Sequence, residues 1–331
     1  MTTSDPATWP RIPRNNAFED HVVGRVFDHH WGRTVHASDN IAFTTQTLAF
    51  NPVYFNGDAA SAAGHRDEVI NPLLVFGIVF GLSVEDLSEM GGPFLGARDL
   101  RYLKDVYPGD TLYASSTVLD ARESSSRPDT GIVTWHTVGR NAAGESVIEF
   151  RRTNLVRKRD DSLELARVPD GFAEDFRVGD RFRHARSRTV TDIDLNGLTL
   201  LVMNTAAGHF SEQEMVDTPF GERINFGGLT LSLTIGLATQ DTTGQAVREI
   251  GLDDVAFPGP VRRGDTINAA TEVLAVEPAG DDADVTFRHH GFNQRGEVVC
   301  TATRTVRVRT RAAQDALGRT SPALAHTTTG R

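Results

Sequence analysis

Asn204 and His209 stand five residues apart in "MNTAAGHFSEQEMVDTPFGERINFGGL", residues 203–229. The imidazole is the member of that pair that exchanges protons near neutral pH. The amide holds water through its carbonyl oxygen or donates from its NH2 group, but it is no base. A Thr-Pro-Phe-Gly turn follows at Thr218–Gly221, and Gly227 opens an apolar run 18 residues after His209. A glycine there presents a bare backbone N–H at a helix start, where negative charge is favoured. Taken one at a time, each has a plainer reading. A glycine before an apolar run often serves packing alone, a lone histidine is commonly structural, and asparagine caps turns. The spacing of the set favours a chemical site. Glu212 lies close to this set in sequence, and Asp58 close to its counterpart in the first half of the chain, as carboxylates that could complete it, with solvated surface residues as the alternative.

Other chemistries find little support. His29–His30 and His289–His290 are neighbours in strand-like runs, so the members of each pair point to opposite faces and make no chelate; surface or strand histidines are expected. The paired glycines at 91–92 and 227–228 lack dinucleotide and phosphate-loop spacing. One cysteine, Cys300, excludes an intrachain disulfide framework and a multi-cysteine metal site. The net charge of −10 argues against nucleic acid as a partner. The longest apolar run, Leu73–Leu82, is half of what a membrane span needs, and no secretory h-region is visible at the start of the sequence, so a cytoplasmic protein is expected.

The elements that must position these residues occur twice. "FEDHVVGRVFDHHWGRTVHASDNIAF" at 18–43 is echoed by "EDFRVGDRFRHARSRTVTDIDLNGL" at 174–198, aligning Gly24 with Gly179 and Asp39 with Asp194 at an offset of 155. "YPGDTL" at 107–112 and "RRGDTI" at 262–267 keep that offset, and "GRNAAGESV" and "GFNQRGEVV" stand 152 apart. Each copy reads as an extended segment, a buried apolar helix, and strand-like runs joined by hairpin turns. Thr191 or Asp192 is expected to cap the helix that starts near Asp194. The fold class is therefore α+β, an antiparallel sheet wrapped round a helix, repeated in tandem. The boundaries are an extension at 1–17, a first domain at 18–159, a linker at 160–171, a second domain at 172–311 and a flexible tail at 312–331.

The second copy resembles the MaoC-like hydratase/dehydratase family of the hot-dog fold. Its motif runs Asp-x-Asn-Pro-x-His, then Thr-Pro-Phe-Gly, then Ile-Ala-His-Gly at the central helix. Asn204 stands at the Asp position, His209 at the His position, and Phe226–Gly227 at the His-Gly position. The resemblance covers about 18–311 as two hot dogs in a pseudo-dimeric chain. At finer grain "NPLLVFGIVFG", "YPGDTL", "GFNQRGEVV" and "LVRKRD" resemble the mesaconyl-CoA (2-methylfumaryl-CoA) hydratase branch.

The resemblance implies a hydro-lyase for a short, branched enoyl-CoA, with no cofactor beyond the CoA of the substrate. It implies His209, Asn204 and Gly227 as catalytic groups: imidazole and amide handle water, and the Gly227 N–H stabilises the enolate oxygen. By the offset, Ala49 and Tyr54 face Asn204 and His209, so the first copy is degenerate. It is expected to shape the acyl pocket with "FNPVYFNG", through Asn51 and Tyr54, alongside Phe226 of the second copy. Arg262–Arg263 and Arg157–Lys158–Arg159 are candidates for the CoA phosphates. A thioesterase, another enoyl-CoA hydratase or 3-hydroxyacyl-CoA dehydratase, and a non-catalytic acyl-CoA binder remain as alternatives. A pseudo-dimeric monomer and a further homodimer are both compatible with two fused hot dogs.

Overall fold

The computed structural model describes residues 5–13, 16–89, 92–160, 166 and 170–320. They form two compact units. The first unit, 16–160, holds β1 (Val26–Thr34), α1 (Ala37–Gln46), α2 (Gly57–Ala62), α3 (Pro72–Leu82), α4 (Val84–Leu87) and strands β2 (Phe94–Tyr102), β3 (Thr111–Glu123), β4 (Thr130–Asn141) and β5 (Ser146–Arg157). Its sheet is antiparallel in the order β1-β3-β4-β5-β2. The apolar run at Leu73–Leu82 is the buried helix the sequence predicts. Leu74, Val75, Ile78 and Val79 of α3 pack with Leu112, Ala114, Ile148 and Phe150 of the sheet.

The second unit repeats the plan with β6 (Arg181–Thr189), α5 (Thr199–Leu201), α6 (Glu212–Met215), α7 (Gly227–Thr242), β7 (Ala246–Ala256), β8 (Thr266–Ala279), β9 (Asp282–Phe292), β10 (Val298–Arg309) and α8 (Arg311–Thr320). The sheet order, β6-β8-β9-β10-β7, is that of the first unit. The offset extends to the strand register: Asp28 faces Ser115 and Arg183 faces Ala270, and the pairing slips at the same place, before Gly32 and before Ser187. Alternating burial along β9 and β10 gives the inner face, and α7 lies against it. Both copies keep a glycine where the helix crosses the sheet. A Cβ on Gly139 would sit 2.6 Å from Val79, and one on Gly291 would sit 2.2 Å from Thr234. The close packing of helix on sheet needs a residue without a side chain at both points.

Two local expectations change. At the start of the second excursion the cap runs in reverse: the Asp194 carboxylate accepts the Thr191 N–H at 2.9 Å and the Thr191 hydroxyl at 2.7 Å. The stretch expected to be loose beyond Arg311 begins as the helix α8, with Gln314 buried, because an Ala-rich run has high helix propensity; 321–331 lie outside the described residues. Most of the linker expected at 160–171 also lies outside them.

Residues 5–13 pack with the second unit rather than leading into the first. Arg11 forms a parallel bridge with Arg183, the Ile12 N–H donates to the Arg183 carbonyl at 2.9 Å, and Ile12 is 0% exposed among Phe176, Phe182 and Phe287. Trp9 is buried edge-on against His290, at 5.4 Å between ring centroids. Ile12→Ala is therefore expected to cost the second unit about 2–4 kcal/mol. Native-state hydrogen exchange should show lost protection in β6, β8 and β9, with β3, β4 and β5 unchanged. Equal losses in both sheets would contradict this assignment.

Candidate active site

Between β6 and α7 the chain makes an excursion, 190–226, that carries the residues singled out by the sequence. Arg223 holds it together. Its guanidinium, 10% exposed, binds Asp192 at 2.8 Å, Asn196 at 2.7 Å and Glu212 at 2.6 Å, joining the helical turns at 192–196 to the start of α6. Glu212 is thereby engaged in an ion pair. Asp58 lies exposed in the first turn of α2, in the first unit.

His209 ends a 3-10 turn, Ala207–His209, and is half-buried. Its Nδ1 lies 3.0 Å from the Ile224 carbonyl oxygen. A carbonyl only accepts, so Nδ1 carries the hydrogen and the neutral ring keeps its lone pair on Nε2. That is the tautomer a general base requires. The His209 ring stands 5.9 Å from the Phe226 ring, which packs so closely over Gly228 that a Cβ there would lie 2.2 Å away. Phe226 is also the residue before the first turn of α7, so one ring links the imidazole to the helix start.

At that start the Gly227 and Gly228 N–H groups have no backbone acceptor among the described residues, whereas Leu229 and Thr230 N–H both reach the Phe226 carbonyl. Unmet N–H groups at the end of a 16-residue helix make a site for developing negative charge. A Cβ on Gly227 would come within 3.0 Å of the Phe257 ring, so the glycine leaves room where space is tight.

Asn204 follows Met203, which takes a left-handed φ of 57°, and its Oδ1 accepts the Ala206 N–H at 3.0 Å. This local bond leaves the amide NH2 with no protein acceptor among the described residues. Asn204→Asp keeps the volume and the Ala206 bond and adds a second titratable group. Turnover at or above the wild-type rate is expected in a pH series of kcat; a tenfold loss would show that the NH2 donor is indispensable.

Four of the five candidate phosphate ligands, all but Arg157, stand in ion pairs among the described residues. Arg262 pairs with Glu222 at 2.7 Å, Arg263 with Asp192 at 3.1 Å, Lys158 with Glu123 at 3.2 Å and Arg159 with Asp20 at 2.7 Å. Thr218–Gly221 forms the predicted turn, closed by Gly221 N–H to the Thr218 carbonyl at 3.1 Å. Among the described residues no group of three or more His, Cys, Asp or Glu could hold a metal ion.

In the first unit Pro52–Tyr54 forms the matching 3-10 turn, capped by the Asn51 side chain, and puts Tyr54 where His209 stands. A further loss there is not apparent from the motif alone. The residue matching Gly227 is Pro72, the first residue of α3, which has no N–H to offer. The offset of 155, applied to the helix start, was the signal for it.

The offset also finds two buried chains. His29 Nδ1 meets Asp86 at 2.6 Å and its Nε2 meets Ser116 at 2.9 Å, with Thr137 beyond at 2.8 Å. His184 Nδ1 meets Asp241 at 2.7 Å and its Nε2 meets Thr271 at 2.7 Å, with His289 beyond at 2.9 Å. His29 and His289 thus face the cores from β1 and β9, so of the two expected placements the strand one holds, with the alternation within each pair.

An antiparallel five-stranded sheet wrapped on a helix, given twice, with imidazole and helix N–H groups in the second copy, defines a double hot-dog protein of the hydratase/dehydratase type. A profile of the mesaconyl-CoA hydratase family matches residues 11–167 and again 168–310, and the chain belongs to that family. It is accordingly an enzyme of the hydro-lyase class. A mesaconyl-CoA hydratase of Haloarcula hispanica is 32% identical over 327 residues, covering 89% of this chain and 91% of its own. A beta-methylmalyl-CoA dehydratase of Chloroflexus aurantiacus is 30% identical over 291 residues, covering 78% and 82%. Among solved structures, a MaoC domain dehydratase from Chloroflexus aurantiacus is 27% identical, covers 90% of this chain and 98% of its own, and has a TM-score of 0.43.

Proposed function

We propose that the second unit reversibly adds water to a short, branched, dicarboxylic enoyl-CoA, with mesaconyl-CoA as the best match and a methylmalyl-CoA as product. The observation that carries this reading is the fixed His209 tautomer beside the open helix start at Gly227. His209 Nε2 takes a proton from water as the hydroxide oxygen bonds to the β-carbon. The double-bond electrons move toward the thioester, whose oxygen becomes an enolate facing the Gly227 N–H. The imidazolium then returns its proton to the α-carbon as the carbonyl reforms. Asn204 orients the water without titrating, so one group both removes and delivers the proton. Arg262 and Arg263 are assigned to the charged rim of the site, which requires their present ion pairs to open.

A panel of enoyl-CoA thioesters, charged and uncharged, tests the reading. Loss of enoyl-thioester absorbance is expected, fastest with mesaconyl-CoA; no loss with any member would overturn it. The departures at Asn204, Tyr54 and Pro72 favour a second reading, a CoA-thioester binder without turnover. It is distinguished by saturable binding with absorbance unchanged.

A further inference from the structure

The mechanism leaves the buried chain Asp241–His184–Thr271–His289 without a task. Asp241 lies in the last turn of α7, where both the helix dipole and burial, at 3% side-chain exposure, oppose a carboxylate. It is held by His184 on β6, itself fully buried, with Thr271 on β8 and His289 on β9 completing the chain. Burial keeps the His289 imidazole well below its usual pKa and therefore neutral. His184 Nδ1–H donates to Asp241 in both arrangements that satisfy the chain: the Thr271 hydroxyl either donates to His184 Nε2 and accepts from His289 Nδ1–H, or accepts from His184 Nε2–H and donates to His289 Nδ1.

The helix so held is a poor one by composition. It contains Gly227, Gly228 and Gly236, and the hydroxyls of Ser232, Thr234, Thr239 and Thr242 bond back to carbonyls four residues earlier. Such residues lower helix propensity and permit bending. Its placement must come from tertiary ties. Over a helix of roughly 24 Å, a tilt of about 2–3° at one end displaces the other by about 1 Å.

We propose that His184 and Asp241 are positioning residues: they anchor the far end of α7 so that the Gly227 N–H meets the thioester oxygen. This rests on the proposed function of that helix start. The duplication supplies the control. His29 and Asp86 make the equivalent bond in the first unit, where Asp86 lies in α4 just beyond the end of α3, and α3 begins with Pro72 and carries no oxyanion donor.

The test compares His184→Gln with His29→Gln in the full chain. Both are expected to lower Tm by similar amounts. Only His184→Gln should reduce kcat, by about 10- to 100-fold, with KM within about twofold; His29→Gln should leave kcat within about twofold of wild type. Asp241→Asn should match His184→Gln, and the double variant should lose no more than either single one. Equal kcat losses from His184→Gln and His29→Gln, or a wild-type rate in His184→Gln, would overturn the proposal. Should His184→Gln not fold, Thr271→Val carries the same expectation through loss of the hydroxyl alone. Hydrogen exchange of the Leu229 and Thr230 amides reads the anchoring without any substrate. Faster exchange in His184→Gln supports it even if no enoyl-CoA is turned over, and unchanged exchange contradicts it.

Discussion

His209→Ala is expected to lower kcat by about 10²–10⁴-fold while binding of the thioester stays near wild type, because a positioned acid/base contributes on that scale. The expectation follows from one bond. The Ile224 carbonyl takes the Nδ1 hydrogen and leaves Nε2 as the lone base of the site. Asn204 does not titrate, and Glu212 is engaged by Arg223. His209→Gln, which can still donate a hydrogen bond to Ile224, should be equally slow. Single-turnover rates together with equilibrium binding of a saturated acyl-CoA separate the two effects. A parental rate in His209→Ala would move the site to another part of the chain, with Asp58 the next residue to test.

The second large effect is expected from Gly227→Pro. Proline is well tolerated at the first position of a helix, and Pro72 occupies that position in α3. The substitution therefore preserves the helix and removes one N–H. Loss of a single oxyanion donor should lower kcat by about 10²–10³-fold. Gly227→Ala is the companion variant. It keeps the N–H and adds a Cβ near the Phe257 ring at 3.0 Å, a half-exposed ring with room to shift. Gly227→Ala should lose less than about tenfold, well short of the proline variant. Similar losses in the two would indicate that crowding, rather than the missing donor, governs the rate.

Much of this was legible because the chain is duplicated. The offset of 155 aligned Tyr54 with His209 before any coordinates, and both prove to end the same 3-10 turn. Apolar runs before and after the glycines marked α3 and α7, since a buried helix has few other ways to write itself in sequence. Other features could not be read locally. Arg223 joins Asp192, Asn196 and Glu212 across 31 residues or fewer, and a lone arginine in a charged loop reads as solvated. Ile12 finds its partner at Arg183, far along the chain, through a backbone hydrogen bond no local pattern announces. His29 and His184 sit in strands where period-two alternation cannot tell an inward histidine from an inward aliphatic residue, and only their common offset from Asp86 and Asp241 marks them.

The central claim is that the second unit joins a water molecule to a carbon–carbon double bond and leaves the thioester intact. Mass spectrometry of the CoA species after incubation with mesaconyl-CoA in 18O-labelled water tests it most directly. The expected product is heavier than the substrate by one labelled water, carries the label at the β-carbon, and forms without free CoA thiol. Release of CoA with label in a free carboxylic acid would contradict it, as would recovery of unlabelled mesaconyl-CoA alone.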